Sequence, residues 1–437
     1  MSSAHESGAL AKALAAAREE GLEATLSLDE NASVEVLFDF NRLKGIQNTE
    51  SLSYSAQTIE GGKLGLATST KPGDESGLIR KARDLSVYGA PAAYSFPAPV
   101  AVKKPEVYSP EVANLSVEKM IEMGEEIVSF ISKLHPDVNG GARIVKSVMR
   151  ESIGNTKGLL ASWERTTFAI LSVVQLVEGQ NMIDVYDYCS STSLECDLPK
   201  MKETLAWKLD LMRKNVQIPT GAYDVLFTPA TIQVLLEPIL VCLNGRAVTR
   251  GISPFAGRLG EAAFSPKLTI IEDGLLDGGI GSRMYDAQGV HCRRTALIDK
   301  GVISEFLLDL DTAHRLGRKP IGTGQIGSIE PNNLVVAPGD VAMADLLSGM
   351  DRGIVIDNTM GAWAGNKYSG QVTGNISRGF LVENGKMVGR VKDCMFSANA
   401  FTHLQDNLVA LSKETEQRFG AIAPYALVSN VSVTAKT

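Results

Sequence analysis

Alternating apolar and polar positions predict strands through much of the chain, and in the first half helices are interspersed among them. The segments 34–40 and 51–69 have the two-residue period of strands, with a hairpin turn inside the second. An apolar stripe at helical spacing covers 115–134, and Ser116 near its start is a candidate amino-terminal cap. By the same criteria we predict further helices at 5–20, 76–87 and 198–214, and further strands at 142–152 and 166–179.

The second half is richer in glycine and in strand patterns. A strand at 223–229 leads into a helix, and Pro219 with Gly221 marks a boundary before it. We therefore predict an α+β protein of two domains, a helix and antiparallel-sheet domain over residues 1–218 and a β-rich mixed domain over residues 219–437. The remaining strand candidates of the second domain are 267–273, 290–299, 302–310, 353–358 and 378–393.

Composition narrows the class of protein. The 437 residues are 44% apolar and 21% charged, as in an ordinary globular protein, and no run approaches the ~18 apolar residues of a membrane span. A net charge of −7 argues against general binding to nucleic acids, which requires a basic face. Five cysteines, an odd number without a CxxC pair, favour reduced thiols and hence a cytoplasmic protein.

One acid interrupts an apolar helix in the segment 228–248, TPATIQVLLEPILVCLNGRAV. Glu237 lies among Leu235, Leu236 and Ile239, where a carboxylate requires a hydrogen-bonding partner or has a role in chemistry. Cys242 lies on the same helix among apolar residues, which favours a packed thiol over a nucleophile.

The histidines form no zinc motif. None of the five has HxxxH, HExxH or HxH spacing. The dipeptide His291-Cys292 is the most suggestive, yet neighbours on a strand point to opposite faces, so we interpret it as a half-buried strand pair. The loop 272–289 contains four acids without the ligand pattern of an EF-hand, which favours a turn-rich connection.

Four segments in this order resemble the TldD/PmbA family of metallopeptidases, and the resemblance covers nearly the whole chain. They are GNTKG at 154–158, YDVLFTPATIQVLLEPI at 223–239, the block 268–309, and VTGNISRGFLVENGKMVGRVKD at 372–393. The block 268–309 is the most specific, because its pattern D-x-Q-G-V-x-x-R-R-T is followed by D-K-G-V-I.

The resemblance implies where a zinc site would lie. In the catalytic subunit of that family, TldD, two histidines of an HExxxH helix bind zinc, the glutamate acts as general base and a late cysteine completes the site. Here Leu236 and Val241 stand where the histidines would be, Glu237 is the remnant of the glutamate, and no cysteine follows Cys394. We therefore expect no catalytic residue, no metal and no cofactor in this chain, as in the TldE (PmbA) subunit.

The resemblance also implies a partner. We expect a heterodimer with a TldD-like, HExxxH-bearing subunit that holds the zinc and acts on unfolded or flexible peptides in the cytoplasm. The glycine-rich run 360–375 suits the close approach of an extended peptide, with Trp363, Gly365 and Gly370 as candidate contacts to peptide or partner. An ordinary irregular hairpin explains that run equally well.

Two alternatives stay open. The chain could be a homodimeric binding or scaffold protein without a peptidase role. It could also be a self-sufficient hydrolase that uses another nucleophile, or a metal held by Glu, Asp and His291. We expect neither a nucleic acid nor a membrane as a partner.

Overall fold

The first half of the chain forms an antiparallel sheet flanked by helices. The structure, a computed structural model, describes residues 3–179, 181–362, 365–418 and 420–436. In the described residues this sheet has the strand order β3-β2-β1-β4-β5-β6. Its elements are α1 (Ser3–Glu19), β1 (Glu23–Asp39), β2 (Arg42–Glu60), β3 (Lys63–Ser69), α2 (Glu75–Leu85), α3 (Pro110–Ala113), α4 (Val117–Ile131), β4 (Asn139–Asn155), β5 (Leu160–Glu178), β6 (Asn181–Ser191) and α5 (Leu198–Met212).

The second half forms a mixed sheet. Its central strand β8 runs parallel to β13 and antiparallel to β18. The elements of this half are β7 (Asn215–Val216), β8 (Gly221–Phe227), α6 (Gln233–Leu243), α7 (Gly245–Thr249), β9 (Ile270–Asp273), β10 (Arg294–Asp299), β11 (Val302–Ile303), α8 (Leu310–Arg315), β12 (Leu334–Val336), α9 (Met343–Ser348), β13 (Arg352–Met360), β14 (Gln371–Glu383), β15 (Lys386–Val391), β16 (Cys394–Asn399), α10 (Ala400–Asp406), β17 (Leu408–Arg418) and β18 (Ala421–Ala435).

Local sequence explains where the two helices between the sheets begin. Ser116 caps α4, since its hydroxyl accepts a hydrogen bond from the Lys119 amide at 3.2 Å. Asp197 caps α5 in the same way, accepting from the Lys200 amide at 2.9 Å. Their buried faces share one core with β13 and β14, in which Leu205 of α5 and Phe380 of β14 are fully buried. The two domains are therefore packed together through α5.

The predicted fold class is confirmed: the protein is α+β with two domains. The boundary between residues 218 and 219 stays a prediction; β7, just before it, pairs with β15 of the second sheet. Several strand predictions were wrong in extent. The strand predicted at 290–299 begins only at Arg294, and the one predicted at 302–310 ends at Ile303. Asp309 and Leu310, at the end of the second segment, belong to the start of α8, which Asp309 caps.

The prediction of five reduced thiols was wrong. Cys189, near the end of β6, and Cys196, just before α5, form a disulfide across seven positions of sequence. The free cysteines of the described residues, Cys242, Cys292 and Cys394, are all buried. An odd number of cysteines gave no sign of this pair. The short connection between β6 and α5 brings Cys189 and Cys196 together. Among the described residues, no helix is both long and apolar enough to cross a membrane.

Candidate functional site: the α6 helix and its surroundings

The helix α6 is fixed to the sheet at its amino-terminal end. Strand β8 leads into it, and β8 residues Val225 and Phe227 are completely buried. The Thr231 hydroxyl, in the turn before the helix, donates a hydrogen bond to the carbonyl oxygen of Ile356 on β13 at 2.7 Å. This contact ties the start of α6 to the neighbouring parallel strand, so the helix has a defined position over the sheet.

The two positions that the predicted register assigns to zinc-binding histidines carry no donor atoms. Leu236 is 1% exposed and packs in the core of the second domain with Ile239. Val241 is half-buried on the same helix. Both side chains are hydrocarbon, and zinc requires nitrogen, sulfur or oxygen ligands. The residues present on α6 therefore do not fit a zinc site of the HExxxH kind.

Glu237 has a cationic partner. Its carboxylate accepts a hydrogen bond from the Nζ of Lys367, and the two side chains are 44% and 32% exposed. Lys367 begins a 3₁₀ turn, Lys367–Ser369, that packs on α6. The thiol of Cys242 also points to this turn, with its sulfur 3.8 Å from the Lys367 carbonyl oxygen. The turn is therefore held against the helix at two positions.

Cys242 is confirmed as a packed thiol. It is completely buried, and burial raises its pKa to about 12. A thiol with so high a pKa is protonated at neutral pH, whereas nucleophilic cysteines need the thiolate. Cys242 on α6 is therefore not an activated nucleophile.

In the glycine-rich run 360–375, packing explains why two of the three residues predicted to contact peptide or partner are glycines. Trp363 lies outside the described residues. Gly370 ends the 3₁₀ turn with a φ of +73°, and a Cβ there would lie 2.7 Å from the ring of Phe401. A Cβ on Gly365 would collide with the carbonyl oxygen of Gln371. Both positions require glycine for packing, and a role in binding peptide or partner stays a prediction.

The acids of the loop 272–289 serve the fold. Asp286 is buried and accepts hydrogen bonds from three backbone amides, those of Gln288, Val290 and Gly324, at 2.8–3.0 Å. Burial raises the pKa of Asp286 to about 7. These bonds hold the loop in its turns, which agrees with the prediction of a turn-rich connection.

Glu272, at the start of that loop, has a similar environment. Its two carboxylate oxygens accept from the backbone amide and the side-chain amide of Asn332. Burial raises the pKa of Glu272 to about 8, although the Asn332 donors act in the opposite direction. A carboxylic acid with this pKa is largely neutral at neutral pH.

His291 and Cys292 lie in different environments. Cys292 is completely buried, with its sulfur 3.3 Å from the Gly322 carbonyl oxygen, whereas His291 is half-buried and makes an isolated bridge with Tyr285. Burial lowers the pKa of His291. Within the described ranges, no three His, Cys, Asp or Glu side chains form a group that could hold a metal ion.

A charged cavity lies between the domains and was not predicted from the sequence. Lys208 of α5 and Arg378 of β14 both contact the carboxylate of Asp357 on β13, and all three side chains are buried. The available signal was weak: Asp357 and Arg378 are charged residues inside two segments that we predicted as strands. Their pairing with Lys208 spans 149 positions of sequence and follows only from the packing of α5.

Comparison with known proteins gives the class to which the chain belongs. Residues 220–435 match the family of the PmbA/TldA metallopeptidase C-terminal domain. Similarity to relatives extends through the first domain as well. The metalloprotease PmbA of Escherichia coli O157:H7 is 25% identical over 426 residues, which cover 93% of this chain and 90% of that protein. The chain belongs to the PmbA/TldD family.

Solved structures show the same fold. A Thermotoga maritima protein, described as a proposed modulator of a DNA gyrase, superposes with a TM-score of 0.90 at 23% identity, over 98% of this chain and 99% of its own. TldE from Thermococcus kodakarensis superposes with a TM-score of 0.89 at 20% identity, over 98% of this chain and 100% of its own. The two-domain architecture is therefore shared with both of these structures over 98% of the chain.

Proposed function

We propose that this chain is a non-catalytic, TldE-like subunit of a zinc metallopeptidase. In this proposal a second, HExxxH-bearing member of the family holds the zinc and cleaves unfolded or flexible peptides. The observation that carries it is the chemistry of α6, where Leu236 and Val241 offer hydrocarbon in place of histidine. Membership of a metallopeptidase family supports the association with peptide cleavage.

The contact between Glu237 and Lys367 supports a structural role for the remaining acid. A general base must be free to take a proton from water. The ammonium group of Lys367 donates a hydrogen bond to this carboxylate and so competes with a water molecule for the same oxygen. Glu237 in this proposal connects α6 to the Lys367–Ser369 turn and takes no part in proton transfer.

The predicted cytoplasmic location is not part of this proposal. It rested on reduced thiols, and the Cys189–Cys196 disulfide removes that support.

Co-expression with an HExxxH-bearing homologue tests the proposed function. The chain should co-purify with that homologue in a 1:1 complex, and the complex should cleave unfolded casein while the chain alone does not. Replacing the glutamate of the homologue's HExxxH motif by glutamine should abolish cleavage by the complex. Failure to form a complex, or cleavage by the chain alone, would contradict the proposal.

A further inference from the structure

A cavity of about 550 Å³ opens between the two domains, on the side of the sheet where β8 leads into α6. It is bounded by α5 and β6 of the first domain and by β13, β14, β17 and β18 of the second. Its volume falls in the range of ~300–1,000 Å³ that small-molecule sites occupy. Thr228 and Pro229 line it ahead of α6, whereas Glu237 points from the helix itself to Lys367.

One wall of the cavity has an excess of positive charge. Lys208 Nζ lies 2.9 Å from a carboxylate oxygen of Asp357, and the Nε of Arg378 donates to the same carboxylate. These side chains are at most 10% exposed. The guanidinium of Arg378 also stacks on the ring of Tyr186 at 4.4 Å. Two buried cations share one buried carboxylate, and the other carboxylate that acts on Arg378, that of Asp184, is exposed to water. The buried part of this wall therefore has one positive charge in excess.

A second cluster of charged side chains that line the cavity has two carboxylates and one cation. Arg418 donates to Asp187 at 3.0 Å and to Glu416 at 2.8 Å, so one cation is shared by two carboxylates. The hydroxyl of Tyr425 donates to the other oxygen of Glu416 at 3.2 Å. Glu416 and Arg418 are about one-fifth exposed, and Asp187 is one-tenth exposed.

The other charges that line the cavity lie at its rim, where water screens them. Lys200 Nζ is 3.7 Å from Glu416, but its side chain is 67% exposed. Asp197 and Glu414 accept hydrogen bonds from backbone amides, those of Lys200 and Met343. The inner walls therefore keep their opposite signs.

An apolar surface lies close to these charged walls. The rings of Trp207 and Phe380 pack at a centroid distance of 5.8 Å, and Leu226 and Met387 also line the cavity. Trp207 is 38% exposed, although its ring packs on Phe380 of the second domain. Such an aromatic surface beside fixed charges is typical of a site that orients an amphipathic ligand.

We propose that this cavity binds a short peptide with free termini and an apolar side chain. Its carboxylate would lie against Lys208 and Arg378, its ammonium group against Asp187 and Glu416, and its side chain against Trp207. Uncompensated buried charges are costly, and a zwitterion supplies the missing charge of each sign at once. The proposal is independent of the proposed function, since it uses no residue of α6 and no partner subunit.

Three matched probes test the proposal by isothermal titration calorimetry on the full-length chain. The zwitterionic dipeptide Phe-Ala should bind. N-acetyl-Phe-Ala lacks the ammonium group and Phe-Ala amide lacks the carboxylate, so each should bind at least tenfold more weakly. Absence of Phe-Ala binding, or equal affinity for all three probes, would overturn the proposal.

Two substitutions locate the binding without leaving a buried charge unpaired. Lys208→Met leaves the Arg378–Asp357 pair and removes the positive excess, so the preference for Phe-Ala over its amide should disappear. Glu416→Gln leaves the Arg418–Asp187 pair, so the preference over the acetylated probe should disappear. Lys202→Met is the matched control, because Lys202 lies on the same helix but pairs with Glu126 at the surface.

The control should bind all three probes as the unsubstituted chain does. Circular dichroism melting curves should show that each variant is folded at the temperature of titration. If the preferences persist in folded Lys208→Met and Glu416→Gln, the dipeptide binds elsewhere and the assignment of this cavity is wrong. If a variant does not fold, the alternative substitutions Lys208→Gln and Glu416→Met, which remove the same charges, decide between these results.

Discussion

Lys367 and Glu237 form an ion pair between the 3₁₀ turn and α6, although 130 positions of sequence separate them. The pair lies where the family's catalytic glutamate would be under the predicted register. Hydrocarbon side chains at Leu236 and Val241 stand on either side of it in the sequence. In the proposed function, α6 is a packing element, and its one acid is connected to the neighbouring turn.

Glu237→Gln should change little. The ion pair is partly exposed to water, and such pairs contribute at most about 1 kcal/mol to the free energy of unfolding. In a complex with an HExxxH-bearing homologue, we expect cleavage of unfolded casein to stay within about twofold of the unsubstituted complex. General bases contribute about 10²–10⁴-fold to rates, so a loss of that size would identify Glu237 as a working base. Lys367→Met is the matched control, because it removes the ion pair and keeps the Glu237 carboxylate. It should have the same small effect.

The stability of the protein should fall as pH rises through the range set by Glu272. Burial raises the pKa of Glu272 from its ordinary 4.5 to about 8, so the folded protein keeps a proton that the unfolded chain releases. The favourable contribution is complete below pH 4.5 and is lost as pH rises towards 8. Asp286, with a pKa of about 7, acts in the same direction.

The substitution Glu272→Gln isolates the contribution of Glu272 to the pH dependence of stability. The variant lacks the proton that unfolding releases, so its free energy of unfolding should depend less steeply on pH. Urea unfolding at pH 5, 6.5 and 8 gives the free energy of unfolding of the unsubstituted chain and of the variant. The difference between the two free energies should shrink as pH rises. Glu203→Gln, at an exposed position of α5, should leave the slope unchanged. A difference that is constant with pH would mean that Glu272 is ionised in the folded state.

The disulfide should be visible as missing thiols. Titration of the denatured, unreduced chain should detect three thiols, those of Cys242, Cys292 and Cys394, and reduction should raise the number to five. Closing so short a loop restricts the unfolded chain by about 2–3 kcal/mol in the loop-entropy estimate. Reduction should lower the free energy of unfolding by that amount in the unsubstituted chain and not in Cys196→Ser. Five thiols before reduction would show that the bond does not form.

Gly370→Ala should destabilise more than Gly361→Ala. Both glycines have a positive φ, of +73° and +79°, so alanine costs about 1–2 kcal/mol at either position. A Cβ at Gly361 would have nothing within 4 Å, whereas at Gly370 it would press against Phe401. We expect at least about 1 kcal/mol of additional loss at Gly370, measured by urea unfolding. Equal losses would show that the ring of Phe401 moves aside without cost.

Much of the first domain could be predicted because its contacts are local. Hairpins with short turns join β2 to β3 and β4 to β5, and Ser116 and Asp197 begin helices whose apolar faces follow the helical period. The predicted strands at 142–152 and 166–179 were too short. Pairing between β4 and β5 continues from Gly154–Leu160 to Asn139–Gln175, through polar positions that propensity alone does not mark as strand.

The strands at the carboxy-terminal end of the chain could not be predicted from local sequence. Strand β18 pairs with β8, β12, β16 and β17, and most of these partners are distant in sequence. The cavity between the domains was missed for a similar reason. Its opposed charges come from α5, β6, β13, β14 and β17, so no single segment shows the arrangement. Residue spacing located α6 and its acid, and tertiary packing supplied the Lys367 partner.

The most direct measurement of the central claim is zinc per chain. The chain should be purified alone and together with an HExxxH-bearing homologue, and zinc quantified by inductively coupled plasma mass spectrometry after dialysis. The account predicts no stoichiometric zinc in the chain alone and one zinc per heterodimer in the complex. One zinc bound to the chain alone, with cleavage of unfolded casein that a chelator abolishes, would contradict it.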